Sequence, residues 1–323
     1  MIWVSWRQQR TETLIAAAVL ALLAALLIPT GLHMASVYDH DHLSACVYVG
    51  NPQTSSCGQM VAAFTQRFEQ LGGLFGWFNL IPGLIGVLLA APLILELENG
   101  THRLAWTQGI TRRRWIANKL GLTIATALLA ATIMSVLLSW WRAPLDHLLG
   151  RMNINVFDFE GTVGLGYTLF ALGLALLIGV LSRRTVPAVV AGFVGYVVAR
   201  LFVQNWLRQR YETALTSTTP TTRGVSANLN YAWVLIQEPS DKYGHAPSGV
   251  AANLLQICSR SIGGQRFTIS RSCISAHGAG YNHVVYQPAS RFWLFQGIET
   301  ALFAGTALTL IGLAAWWIHE RTT

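Results

Sequence analysis

Six apolar runs, at residues 14–32, 74–95, 120–141, 163–181, 186–207 and 292–318, restrict this chain to very few folds. Each has the roughly 17–25 residues that a helix needs to cross a hydrocarbon core about 30 Å thick. None alternates polar and apolar positions as barrel strands do, so helices are the spanning structure. Charge agrees: Asp, Glu, Lys and Arg make up 11% of the 323 residues, less than half the roughly 25% of soluble domains. The first run follows Arg7 and Arg10 and has the outline of a signal peptide, but the further runs make it a signal anchor. The expected fold is an all-α polytopic membrane protein with a single transmembrane domain over 1–323. The net charge of +8 does not imply nucleic acid, because the cations are scattered among short loops and form no basic face.

Orientation comes from the short loops. With the N-terminus inside, Arg7, Arg10, Arg103, Arg112, Arg113, Arg114, Lys119, Arg183, Arg184 and Arg321 all fall on the cytoplasmic side, as the positive-inside rule requires. The turn from Ser182 to Thr185 is the cleanest marker, because a loop that short must obey the rule. Six spans return the C-terminus to the cytoplasm. Segments 33–73, 142–162 and 208–291 then lie outside. Within them 216–222, T-S-T-T-P-T-T, is expected to be flexible loop, and 60–71 and 249–257 short amphipathic helices.

All four cysteines, Cys46, Cys57, Cys258 and Cys273, fall in outside segments. An oxidising exterior permits disulfides, and four cysteines allow three pairings. The two local ones, Cys46–Cys57 and Cys258–Cys273, are expected; free thiols are the alternative. Residues 39–42, Asp39, His40, Asp41 and His42, could hold a divalent ion. In an extended stretch, however, only every second side chain shares a face, and a solvated linker is the simpler reading.

Catalytic signatures are missing. There is no G-x-x-x-x-G-K-[ST], H-E-x-x-H, G-x-S-x-G or C-x-x-C. The glycine-rich 277–280 has no nucleophile elbow to accompany it. The chain is read as a non-enzyme with no metal and no cofactor of its own. Nor do the spans carry ion-coupling groups, since their middles lack Asp, Glu, Lys, Arg and His. Arg200 and Glu299 sit near outer ends and are read as snorkelling or pairing near the interface, with substrate binding the alternative; an outer pair between the two is conceivable. Energy for any transport must come from elsewhere.

The segment 96–119 is the place to receive it. It holds the densest cationic cluster of the chain. Gly100 can end the second helix in a left-handed cap; Thr101 can cap the next helical turn, and Thr111 can start the helix of the third span. Trp106 is an apolar anchor on an otherwise polar piece. The bland alternative is a cytoplasmic turn whose arginines only fix topology and touch headgroups.

Three stretches carry a resemblance: Glu98, Gly100 and Thr101 followed by Thr111, Arg112 and Lys119; W-V-S-W-R-Q-Q-R over 3–10; and Y-Q-P-A-S-R-F-W-L-F-Q-G-I-E over 286–299. Together the chain resembles the ABC-2 type permeases, membrane subunits of ATP-driven exporters, in a subgroup common in actinobacteria. The resemblance implies the ABC-2, type V exporter-like, fold, here with a sizeable extracellular loop domain between helices 5 and 6. It implies a dimer, of identical or of two different permeases, in a bacterial plasma membrane. It also implies a separate ABC ATPase subunit that binds ATP and Mg. The loop would be the coupling helix, with Glu98, Gly100, Thr101, Arg103, Trp106, Arg112, Arg113 and Arg114 at the ATPase. Trp3, Trp6, Arg7 and Arg10 would form an interfacial helix lying along it. The substrate route would run between protomers, beside the second and fifth spans. The chain departs from the family in having Ile110 where many relatives have Pro, and in its long loop before the last span. The expected function is export of an amphipathic substrate: drug- or antibiotic-like, lipid or peptide. A membrane-embedded sensor or scaffold, with a ligand-binding outer loop and no transport, is the alternative.

Overall fold

The computed structural model describes residues 2–46, 56–69, 75–101, 111–152, 156–158, 160–220, 229, 231–245, 259–262, 266–269 and 280–321. Seven helices organise it: α1 (Ile2–His40), α2 (Ser56–Glu69), α3 (Ile81–Glu98), α4 (Arg112–Leu149), α5 (Val163–Ser182), α6 (Thr185–Phe202) and α7 (Phe292–Arg321). All but α2 are long and apolar enough to cross a membrane, which bears out the six-span plan.

Several helices outrun their apolar runs. α1 continues to His40, and Asp41 and His42 form the turn after it, so residues 39–42 are not an extended linker. α4 continues past Trp141 to Leu149, through Arg142 and Asp146. A hydropathy pattern stops at the first charge; a helix need not, where its charges find partners on the next turn. α3 starts later than its apolar run, at Ile81, after a single turn at Phe75–Phe78. At the N-terminus the interfacial helix expected over residues 3–10 is not a separate element: the backbone is helical from Ile2 without a break.

α5 is the centre of the bundle and packs on α3, α4, α6 and α7. Of its span 67% is buried, against 28% for the first span. Close approach explains this, since small residues let membrane helices meet backbone to backbone. A Cβ on Gly86 of α3 would lie 2.4 Å from the carbonyl oxygen of Thr168, and one on Gly173 would lie 3.0 Å from that of Ala307. Tyr167, Tyr196 and Phe303 fill the space between with edge-to-face rings. α1 sits at the periphery on α4, and its end is held to α2 by the expected disulfide, Cys46–Cys57. Phe64 and Phe68 of α2 are buried beneath it. Cys258, Cys273 and the helix expected at 249–257 lie outside the described residues.

The segment before α7 is not wholly loop. β1 (Leu215–Pro220), β5 (Tyr281–Gln287) and β2 (Trp233–Ser240) form an antiparallel sheet in the order β1-β5-β2. A second pair, β3 (Ser259–Ile262) with β4 (Arg266–Ile269), is also antiparallel. The expectation of a flexible 216–222 is therefore corrected through Pro220. Threonine is a β-former, and Pro220 closes an edge strand, where its missing N–H costs no ladder bond.

Gly86→Ala is expected to lower the melting temperature of the detergent-purified chain, because overpacking of this kind costs about 1–3 kcal/mol. Gly121→Ala, whose Cβ would meet nothing within 4 Å, is expected to leave it unchanged or raise it. A thermal melt monitored by circular dichroism compares the two.

Candidate functional site

Two polar ends bracket the apolar bundle. At the end carrying the α3–α4 loop, α3 stops at Glu98, with Asn99 donating to the Leu95 carbonyl. Gly100 comes next at φ +70, a left-handed conformation that suits glycine. Thr111 caps α4 by accepting from the Arg114 N–H at 3.4 Å. The Thr101 hydroxyl turns back to the Glu96 carbonyl at 3.4 Å. Arg103, Trp106 and Ile110 lie outside the described residues.

The roots of this loop, α3 and α4, are bound to two other spans and to each other. Glu98 Oε2 accepts from the Thr185 N–H at 2.8 Å and its hydroxyl at 2.6 Å. A carboxylate from α3 thus satisfies the open N-terminus of α6, where an anion is also favoured by the helix dipole. Lys119 of α4 and Glu96 of α3 form an ion pair with both side chains largely buried. Arg112 donates to the His319 carbonyl of α7 at 3.4 Å. Arg113, Arg114, Arg183 and Arg184 are exposed, so this end presents a cationic surface. Arg183 itself adopts φ 52 as the cap of α5, which makes the α5–α6 turn as tight as its sequence suggests. Trp3, Trp6, Arg7 and Arg10 fall on the first turns of α1.

At the opposite end lies a network of buried charges. Asp158, from the linker between α4 and α5, ion-pairs with Arg200 of α6 and with Arg208. Arg208 also donates to Glu299 of α7, through Nε at 2.9 Å and Nη2 at 2.7 Å, and lies 4.3 Å from the Phe157 ring centroid. The Tyr167 hydroxyl of α5 shares its one proton between Asp158, at 3.0 Å, and Glu299. Gln296 of α7 holds the linker from both sides: its oxygen accepts from the Thr162 and Val163 N–H groups at 3.1 Å, and its amide donates to the Phe157 carbonyl at 2.7 Å. Between Phe202 and Arg208 the helix widens to a π-turn, Val203–Leu207, which shifts the phase of the next residues and puts Arg208 in the same cluster as Arg200. Burial pushes the Asp158 carboxyl up, but the Arg208 and Arg200 charges outweigh it and hold it below the usual carboxylate range.

A second cluster adjoins the first. Arg142 lies 2.9 Å from Asp146 and 3.6 Å from Glu160; Arg151 lies 3.8 Å and 3.2 Å from the same pair. Linker 150–162 thus sends Asp158 into one pair of arginines and Glu160 into another. Burial, then the neighbouring Asp146, pushes the Glu160 carboxyl up to about 9, against the two arginines.

Arg200 and Glu299 are each ion-paired, but not with each other; they meet through Asp158 and Arg208. Sequence reasoning misses Asp158, Arg208, Tyr167 and the Asp146–Glu160 pair. Hydropathy places Arg208 and Arg142 in outside loops, one residue beyond an apolar run. The signal that could have found them is charge balance, since two acids in the linker face arginines at the ends of two spans. Among the described residues, no group of three or more His, Cys, Asp or Glu side chains could hold a metal ion. His40 and Asp41 make only an exposed pair at 2.9 Å.

Apolar spans bracketed by two polar ends define a multi-pass membrane protein. The family model described as ABC-2 membrane transporter related matches residues 17–208, more than half of the chain. The chain belongs to that family, whose members include permeases of ABC transporters. The match takes in the first five spans and ends at Arg208 of the buried network, leaving the sheet and α7 beyond it. No curated protein and no solved structure matches the chain.

A carboxyl that keeps its proton when folded and loses it when unfolded binds more protons in the folded state. Stability from Glu160 is accordingly full below about pH 4.5 and is lost as pH rises toward about 9. The melting temperature in detergent is expected to fall by a few °C across this window, and Glu160→Gln should flatten the fall. Differential scanning fluorimetry in a pH series measures it.

Proposed function

We propose that the chain is the permease subunit of an ABC exporter, with both termini in the cytoplasm, driven by ATP hydrolysed on a separate subunit that carries the ATP and Mg. The observation that carries the reading is the rooting of the α3–α4 loop. Through Glu98, Lys119 and Arg112 the two ends of that loop are bonded to α6, α3 and α7. A push on the loop then moves several spans together, and a coupling element needs that property. The exposed Arg113, Arg114, Arg183 and Arg184 supply a cationic docking face, joined on this reading by Arg103, Trp106 and the first turns of α1.

Family membership supports a pair of permeases around a route beside the second and fifth spans. The fifth span, α6, exposes Val186, Val190, Val194, Val198 and Phe202 at four-residue spacing. Such a stripe suits a second permease or an apolar substrate better than the interior of a single chain. With no acidic, basic or histidine side chain in the middle of any span, the substrate is an amphipathic molecule rather than an ion.

Affinity purification of the tagged chain from native membranes is expected to bring down a subunit with a Walker sequence and ATPase activity. Arg113→Glu with Arg114→Glu should weaken that association about tenfold or more while the chain still inserts. Glu98→Gln should leave the association intact and reduce ATP-driven transport. A chain that purifies with no ATPase would refute the proposal in favour of a sensor or scaffold.

A further inference from the structure

Against the Arg142–Asp146–Glu160–Arg151 cluster, at the end remote from the α3–α4 loop, lies a cavity of about 390 Å³. That volume falls in the range of small-molecule sites, roughly 300–1,000 Å³. Asp146, His147 and Arg151 line one side; Tyr231 from the outer segment and Phe292 and Trp293 from the head of α7 line the other. The ring wall is fixed in place. A Cβ on Gly150 would lie 2.3 Å from that of Tyr231, and the Tyr231 hydroxyl donates to the His147 carbonyl at 2.6 Å.

The chemistry of the cavity is two-signed. The Asp146 side chain is only 5% exposed. The proton that Glu160 keeps is shared with it, and Arg142 lies 2.9 Å away. A carboxylate has about four lone-pair sites, so Asp146 can still accept from a donor in the cavity that it lines. Arg151 is half exposed and offers a planar fork suited to a phosphate or carboxylate. Because Glu160 retains its proton at neutral pH, the two arginines face a single carboxylate, and one positive charge remains for an anion. Trp293 is 61% exposed at the start of a span, the level at which tryptophan marks a membrane interface.

We propose that this cavity binds an amphiphile whose headgroup joins a primary ammonium to an anionic group, as an aminophospholipid does. The ammonium donates to Asp146, the anion pairs with Arg151, and the apolar chains leave past Trp293. A quaternary ammonium has no N–H to give, so a choline headgroup lacks the first contact. Binding of this kind ties the outer segment to α4 and α7, and it does not depend on the chain's being a transporter.

Native mass spectrometry of the full chain in detergent, without nucleotide, tests the site with phosphatidylethanolamine and phosphatidylcholine as probes. One phosphatidylethanolamine is expected to be retained about tenfold more tightly than phosphatidylcholine. Asp146→Asn should erase that preference, and Arg151→Gln, at a half-exposed position, should weaken both lipids. Displacement of the lipid by equimolar soluble glycerophosphoethanolamine would assign the site to a free headgroup compound, and its failure to displace would assign it to the lipid. Equal retention of the two lipids, or a preference unchanged in both variants, would overturn the proposal.

Discussion

The ion pairs of Asp158 with Arg200 and Arg208 are the interaction on which the end of the bundle remote from the α3–α4 loop depends. A charge taken out of water is costly unless it is paired and hydrogen-bonded. Removing one partner of such a buried set typically costs about 3–5 kcal/mol, because the others are left uncompensated. Asp158 sits in a linker rather than a helix, so its pairs fix the path of the chain between α4 and α5. Through Glu299 and Tyr167 the same network reaches α7 and α5. A single carboxylate thus sets the relation of four spans.

The loop-bearing end works on a smaller scale. Glu98, exposed at the end of α3, completes the N-terminus of α6. That position gives Glu98 a structural task inside the chain, while Arg113 and Arg114, on the first turn of α4, are exposed. In the proposed exporter, contact is made by the arginines and transmitted by Glu98 and Lys119. Between the two ends the spans carry no acidic, basic or histidine side chain at mid-membrane. Their packing is set by glycine approaches such as Gly86 on Thr168.

Much of this is legible in the residues. The six spans come from apolar length, because lipid leaves a backbone few other solutions. The caps at Gly100 and Thr111 come from local chemistry, and the Cys46–Cys57 bridge from proximity in sequence. The illegible part depends on contacts distant in sequence. Arg200 reads as a snorkelling side chain because its partner, Asp158, lies 42 residues away in a linker. Arg208 is turned inward by a π-turn that no motif announces. The threonines of β1 resemble loop until β5, more than 60 residues later, supplies their partners. Charge counts at span ends carry more information than the apolar windows show, since each buried charge implies a second one somewhere.

Cross-linking bears most directly on the claim that the loop moves α3 and α6 together. With Glu98→Cys and Thr185→Cys joined by a disulfide, the Glu98 cap would be replaced by a covalent tie between the same two helix ends. If these ends travel as one unit, ATP turnover by the assembled complex in nanodiscs should continue at the rate seen in the reduced form. Arrest of turnover on oxidation, with recovery on reduction, would mean that α3 and α6 must separate, and would contradict the claim.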